Sequence, residues 1–195
     1  MKMTLHEKRH DIDTVSLGFW IYLMTDCLLF ASLFATYAVL HGNTAGGASS
    51  RELFDMGFVL TETILLLTSS MTSGLALLEA RKKNLRGALA YLSVTIALGI
   101  GFLAMELHEF STLAAEGHGW WTSAFLSGFF TLVGTHGLHI TAGLIWAAAL
   151  VWLLAQKGLT HTQIKRLTLF TLFWHFLDVI WIFIFTFVYA LGVVG

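Results

Sequence analysis

The 195-residue chain contains 56% hydrophobic and only 12% charged residues, and its net charge is −1 at neutral pH. Soluble globular domains carry about 25% charged residues, so this composition argues against a soluble fold and indicates a membrane protein. The near-zero net charge excludes the basic footprint of a nucleic-acid-binding protein. The single cysteine, Cys27, excludes an intrachain disulfide framework and a CxxC redox or zinc site.

Five apolar segments follow one another along the chain, and each is long enough to cross a hydrocarbon core, which needs about 20 helical residues. They lie near 17–40, 57–80, 87–109, 122–155 and 167–193. Because the runs are continuous rather than alternating, they favour helices over barrel strands. We therefore predict an all-α polytopic membrane bundle, with 1–16 as a cytoplasmic tail and 17–195 as one five-helix transmembrane domain.

The distribution of basic residues predicts the orientation of this bundle. If the N-terminus is cytoplasmic, ten of the eleven Lys and Arg residues fall on the cytoplasmic side, and Arg51 alone falls on the other. The positive-inside rule thus predicts a periplasmic C-terminus. The densest basic stretch is "ARKKNLR", between the second and third segments. We predict that its basic side chains contact anionic lipid headgroups; they are Arg81, Lys82, Lys83 and Arg86.

Titratable residues inside the apolar segments are the most informative feature of the sequence. They are Asp26, Glu62, Glu106, Glu109, His136, His139, His175 and Asp178. Placing such groups against lipid costs free energy, so we expect them to face the bundle interior or a partner. Three pairs have i, i+3 spacing, which places both members on one helical face. We interpret the set as an intramembrane polar network with a structural or proton-related role.

The histidines leave several kinds of chemistry open. Two histidines on one helix cannot ligate both faces of a haem, so haem would need His136 or His139 together with His175 or His108. Copper or zinc could use His136 and His139 with a carboxylate. Alternatively, neutral imidazoles could donate hydrogen bonds to carboxylates or carbonyls of neighbouring helices, each worth roughly 1 kcal/mol.

We adopt the hydrogen-bonding interpretation, which predicts no cofactor and no metal in this chain. Small residues let helices approach closely enough for such bonds, and the fourth segment carries Gly128, Gly134, Gly137 and Gly143. Asp26 is a candidate proton relay, a carboxyl kept neutral by burial, or a partner of the histidines. We interpret Trp174 and Trp181, which flank Asp178 at helical spacing, as packing residues. Trp120 and Trp121 are typical of interfacial anchors, and His6, His10, His118 and His161 are expected to be solvated in loops or tails.

Three stretches together resemble a known family. "FWIYLMTDCLLFASLFATYAV", "VGTHGLHITAGLIW" and "FWHFLDVIWIFIFTFVYALG" are similar to subunit III of the haem-copper respiratory oxidases. They are most similar to the five-helix subunit III of bo-type ubiquinol oxidases. HGLH followed by WHFxDVxW is specific as a combination, and the resemblance extends from about residue 17 to the end of the chain.

The resemblance implies an accessory subunit in a bacterial inner membrane, without redox centres of its own. Haem and copper would belong to the catalytic subunit I, against which this chain would pack together with other oxidase subunits and phospholipids, sustaining proton uptake. His136, His139, His175 and Asp178 stand at the positions of the family's motifs, and Glu106 and Glu109 match an acidic pair. Asp26 stands where cytochrome-oxidase members carry a carbodiimide-reactive glutamate.

Other functions remain open at the level of sequence. The chain could be subunit III of a cytochrome c oxidase, because neither the quinol nor the cytochrome c binding site is expected on this subunit. Its five-helix length favours quinol as the electron donor of the complex. A stand-alone proton-coupled transporter would need a substrate pathway of its own. A haem-carrying electron carrier would show visible absorption in the isolated chain.

Overall fold

The computed structural model describes residues 5–41, 56–117 and 119–190, with side chains from Thr14 onward. The helices are α1 Leu5–Leu40, α2 Met56–Arg81, α3 Leu85–Ala115, α4 Ala124–Lys157 and α5 His161–Ile184, which continues as a π-helical turn at Phe185–Ala190. The described ranges contain no strand. Five helices there are long and apolar enough to cross a membrane, which confirms the predicted five-helix membrane fold.

Several helices extend beyond the apolar segments that predicted them. α1 begins at Leu5 rather than near residue 17, so much of the predicted tail, with His6 and His10, is helical. The apolar part of α1 is Thr14–Leu40. Hydropathy detects the portion of a helix that suits lipid, whereas the helix itself continues while its backbone hydrogen bonds can propagate.

The same difference appears in α3 and α5. α3 continues to Ala115, past the predicted limit at 109. α5 begins at His161, so Lys165 and Arg166 lie in its first turns rather than in the preceding connection. Thr160 caps this start, because its side-chain oxygen accepts a hydrogen bond from the Gln163 amide at 3.3 Å. The cap explains why the helix starts before the apolar run.

A tight turn joins α2 to α3. Lys83 occupies the left-handed region with φ 62°, a conformation that non-glycine residues rarely adopt. Asn84 then caps α3 by accepting from the Gly87 amide at 3.2 Å, and it donates to Glu79 Oε2 at 2.6 Å. A Cβ on Gly87 would stand 2.7 Å from Asn84 Nδ2. These contacts make α2 and α3 antiparallel neighbours.

Four of the helices close a ring. α2 packs along α3, α3 on α4, α4 on α5, and α5 returns to α2. α1 lies outside this ring, mainly against α4 and α5. In an 18-residue apolar stretch of α1 22% of the residues are buried, against 50% in the corresponding stretch of α5. The core is rich in fully buried aromatic side chains, including Phe30, Phe102, Phe125, Phe129, Phe170, Trp174, Trp181 and Tyr189.

The glycines of α4 lie where neighbouring helices come closest. A Cβ on Gly137 would stand 2.5 Å from Glu106 Oε1 of α3, and one on Gly143 would stand 2.8 Å from the Trp174 ring of α5. Gly128 faces Tyr37 of α1. Gly134 faces Phe110 of α3. Because these four positions of α4 are glycines, large or polar side chains from three other helices can approach its backbone.

Candidate functional site

Asp26 and His139 join α1 to α4. The Oδ1 atom of Asp26 lies 3.0 Å from His139 Nε2, and His139 Nδ1 lies 2.7 Å from the Thr135 carbonyl oxygen. A carbonyl only accepts, so Nδ1 carries a hydrogen and donates it. The contact between Nε2 and Oδ1 then needs one further hydrogen. Asp26 and His139 therefore share a proton, either as imidazolium and carboxylate or as imidazole and carboxylic acid.

A second polar group joins α2 to α5. His175 Nδ1 lies 2.5 Å from Ser70 Oγ. Asp178, one turn further along α5, also interacts with the Ser70 hydroxyl and with the His175 ring. A hydroxyl can accept from an imidazole N–H and donate to a carboxylate at the same time. Ser70 can therefore serve as the link between the two α5 side chains.

Two tryptophans fix α5 against its neighbours in the same region. Trp174 is 1% exposed, and its indole N–H donates to Ser69 Oγ at 3.1 Å. Ser69 Oγ in turn donates to the Thr95 carbonyl of α3 at 3.0 Å. Trp181, fully buried, donates to Thr63 Oγ1 at 3.1 Å. Both indoles pack in the core, and both satisfy their donors with hydroxyls of α2.

Three carboxyl groups lie toward the ends of α2 and α3 that are far from the α2–α3 turn. Glu62 is 0% exposed and Glu106 is 2% exposed, whereas Glu109 is half-buried and accepts a hydrogen bond from the Tyr189 hydroxyl at 2.8 Å. The three groups are close enough to interact electrostatically. Within the described residues neither oxygen of Glu62, nor Oε2 of Glu106, has a hydrogen-bond partner. We call Glu62, Glu106 and Glu109 the acidic cluster.

His136 does not meet the expectation that each intramembrane histidine donates to a carboxylate or carbonyl. It is fully buried, yet no protein group in the described ranges bonds to either ring nitrogen. Its ring lies 5.3 Å from that of Trp181 and 6.0 Å from that of Phe102. Aromatic packing occupies the face that His136 shares with His139. Among the described residues, the side chains of the predicted network form several hydrogen-bonded groups.

Sequence reasoning missed the hydroxyl residues that connect these groups, namely Thr63, Ser69, Ser70, Thr95 and Tyr189. The stretch "TSSMTS" in α2 is a signal, but an ambiguous one. Ser and Thr inside helices often bond their own preceding turn, as Thr68 does with the Ile64 carbonyl at 2.7 Å. Helical spacing alone does not show which hydroxyl reaches another helix.

The remaining predicted residues lie at the ends of the helices. Arg81, Lys82, Lys83 and Arg86 are all exposed at the α2–α3 turn, where Lys82 Nζ donates to Glu79 Oε1 at 3.0 Å. Trp120 and Trp121 are exposed beside the start of α4. His161 is exposed at the first position of α5 rather than in a loop. Arg51 and His118 lie outside the described residues.

No arrangement typical of a metal centre occurs among the described side chains. His, Cys, Asp and Glu residues there form no group of three or more placed to hold an ion. The polar groups instead connect pairs of helices: α1 with α4, α5 with α2, and α2 with α3. Such an arrangement can hold helices in register and can hold protons.

Comparison with known proteins gives the family. Residues 4–193 match the model of cytochrome c oxidase subunit III. The chain is 57% identical to cytochrome bo(3) ubiquinol oxidase subunit 3 of Pseudomonas putida, covering 91% of this chain and 86% of that protein. The subunit 3 of the same name in Pseudomonas aeruginosa is 52% identical, covering 96% and 93%. A protein named cytochrome c oxidase subunit 3, from Bacillus sp. strain PS3, is 46% identical over 92% and 86%. The chain therefore belongs to the cytochrome c oxidase subunit III family, as the resemblance of its motifs predicted.

Proposed function

We propose that this chain is the accessory, non-redox subunit of a proton-pumping haem-copper terminal oxidase that oxidises ubiquinol. The observation that carries the proposal is the identity of 57% and 52%, over nearly the whole chain, to proteins named as subunit 3 of a ubiquinol oxidase. In this proposal haem and copper reside in the catalytic subunit. The buried polar groups of this chain then hold its helices together and support proton uptake by the complex.

The proposed place of the chain is a bacterial cytoplasmic membrane, against catalytic subunit I. Its five apolar helices support a multi-pass membrane protein. The exposed basic residues at the α2–α3 turn, and Lys157 at the end of α4, lie at one end of the bundle. By the positive-inside rule this end faces the cytoplasm. The acidic cluster then lies toward the periplasmic end.

Removal of the subunit tests the proposed function. An oxidase prepared without this chain should keep its haem and copper spectrum, and its first minutes of oxygen consumption should be near normal. Its activity should then decay faster, or settle at a slower rate limited by proton uptake, and adding the chain back should restore it. Loss of haem from the remaining complex would show that this chain builds the catalytic site, contrary to the proposal.

The electron donor has a second candidate. The relative from Bacillus sp. strain PS3 is named a subunit of a cytochrome c oxidase and is 46% identical to this chain. Oxygen consumption by the purified complex with ubiquinol, and separately with reduced cytochrome c, distinguishes the two. We expect turnover with ubiquinol; turnover with reduced cytochrome c alone would select the alternative.

Lipid contact at the basic turn is a separate part of the proposal. Arg81, Lys83 and Arg86 are exposed together, and each basic residue near an anionic surface contributes about 1 kcal/mol. Lys83→Gln should therefore reduce the anionic phospholipid that co-purifies with the complex. Lys157→Gln, which removes an exposed lysine outside this turn, is the control. Equal lipid retention by wild type and Lys83→Gln would contradict a headgroup site there.

A further inference from the structure

The acidic cluster is the part of the interior that packing does not explain. Glu62 comes from α2, and Glu106 and Glu109 come from α3. Glu62 is completely buried, and both of its carboxyl oxygens lack a hydrogen-bond partner among the described residues. It interacts electrostatically with both other carboxyls. A fully buried carboxyl that lacks a hydrogen-bond partner, within electrostatic range of two further carboxyls, indicates a site that holds a small ligand.

No Lys or Arg among the side chains described from Thr14 onward lies beside these three groups. Those Lys and Arg side chains lie in or beside the turns at the opposite end of the bundle; they are Arg81, Lys82, Lys83, Arg86, Lys157, Lys165 and Arg166. Around the cluster, the π-helical turn contributes Tyr189, whose hydroxyl donates to Glu109. α4 contributes Gly137, which leaves room for Glu106, and nearby His136, whose ring packs on Trp181. His108 of α3 is exposed.

These surroundings make full ionisation of the cluster unfavourable. A buried carboxylate without a donor is far less stable than the neutral acid. Carboxylates that share one site cannot all be charged without a cation between them. The ligand that satisfies both conditions is a proton. π-Helical turns occur frequently at functional sites, and the one here carries the tyrosine that orients Glu109.

We propose that Glu62, Glu106 and Glu109 form a proton-holding site at the end of the bundle opposite the basic turn. Glu62 keeps its proton at neutral pH. Glu109, the half-buried member, exchanges protons with the surface at that end: hydronium donates a proton to its carboxylate and leaves as water. Passage of that proton to Glu106 restores the Glu109 carboxylate. The Tyr189 hydroxyl donates to the ionised form of Glu109 and so holds it ready to accept.

Infrared spectroscopy of the intact complex tests this proposal, with readouts that do not depend on whether the chain sustains turnover. The C=O stretch of a protonated carboxylic acid is distinct from the carboxylate bands and shifts when H₂O is replaced by D₂O. The variants are Glu62→Gln, which removes the acid while keeping its shape, and Glu62→Asp, which keeps a carboxyl. Glu116→Gln, an exposed glutamate at the same end, is the matched control.

At neutral pH we expect Glu62→Gln to lose one protonated-carboxyl band, Glu62→Asp to shift it, and Glu116→Gln to leave it unchanged. Retention of every such band in Glu62→Gln would overturn the proposal. Failure of the Glu62→Gln complex to assemble would also overturn it, because an amide replaces a neutral acid with little change in shape or charge. A shift of the carboxylate bands on adding Zn²⁺, with no protonated-carboxyl band in its absence, would identify a cation site instead.

Discussion

The middle of the bundle and the acidic cluster bury polar groups in opposite ways. In the middle, the buried Trp174 indole and the exposed His175 imidazole of α5 bond to hydroxyls of α2 at 2.5–3.1 Å. The Ser69 hydroxyl also donates to a carbonyl of α3. In the acidic cluster, Glu62 has no hydrogen-bond partner among the described residues and has two carboxyls for neighbours. Interhelical hydrogen bonds stabilise the first region. In the proposal above, the second region is stable while Glu62 keeps its proton, so the two regions should respond differently to substitution.

The largest expected loss comes from Trp174 in the middle of the bundle. Trp174→Ala removes a fully buried ring and leaves Ser69 without its indole donor, at a cost of about 3–5 kcal/mol in the free energy of unfolding. Trp152→Ala is the control, because that ring is 62% exposed. The measurement is denaturant unfolding in detergent. Similar losses in the two variants would contradict the description of Trp174 as a core residue.

Ser70→Ala should have the next largest effect. It removes the hydroxyl that bonds the exposed His175 and interacts with the buried Asp178, and leaving the buried carboxyl unpaired costs roughly 1–3 kcal/mol. In the control Ser32→Ala, an exposed hydroxyl that bonds its own helix at the Leu29 carbonyl is lost. We expect a lower melting temperature for Ser70→Ala alone. An unchanged melting profile would show that the α2–α5 link carries no stability.

A pair of glycine substitutions separates close helix contact from helix propensity. A Cβ on Gly143 would lie 2.8 Å from the Trp174 ring, whereas a Cβ on Gly101 would meet nothing within 4 Å. Gly143→Ala should therefore destabilise the chain by about 1–3 kcal/mol. Gly101→Ala should be neutral or stabilising, since alanine favours a helix by roughly 0.5–1 kcal/mol over glycine. Thermal unfolding of both variants checks this, and the reverse order would refute the close contact between Gly143 of α4 and Trp174 of α5.

The smallest effect is expected in the acidic cluster. Because Glu62 is proposed to be neutral, Glu62→Gln, which replaces a neutral acid with an amide of the same shape, should leave the free energy of unfolding nearly unchanged at neutral pH. The comparison is Asp26→Ala, which removes the contact of 3.0 Å between Asp26 Oδ1 and His139 Nε2. This substitution should lower the free energy of unfolding by about 1–3 kcal/mol. If Glu62→Gln lowered the free energy of unfolding more than Asp26→Ala, Glu62 would be ionised, contrary to the proposal.

The length of the apolar runs was sufficient to predict the helices, because a membrane-crossing helix needs a long apolar run. α2 matches its predicted span to within a residue at each end. Close helix contacts at the glycines of α4 were also predicted, since few other residues let helix backbones approach closely. Hydrogen-bond partners were predicted less well. Pairing with a histidine was one of several roles predicted for Asp26, and Asp26 does contact His139. Pairing at His136 was also expected, but no partner for it occurs among the described residues.

The reason lies in helix rotation. A hydrogen bond between helices depends on the relative rotation and depth of both partners, which the sequence of one helix does not specify. Ser70 and Thr68 look equivalent in the sequence, yet Ser70 reaches His175 and Thr68 bonds its own helix. The π-helical turn had no sequence signal that we recognised, and it sets the position of Tyr189 against Glu109.

The central claim is that the intramembrane histidines and carboxylates of this chain hold helices and protons rather than a redox cofactor. Visible absorption and elemental analysis of the chain, purified alone in mild detergent, test it most directly. The account predicts no haem absorption and no stoichiometric iron or copper. A haem band, or one equivalent of either metal that is lost in His136→Ala or His175→Ala, would contradict it.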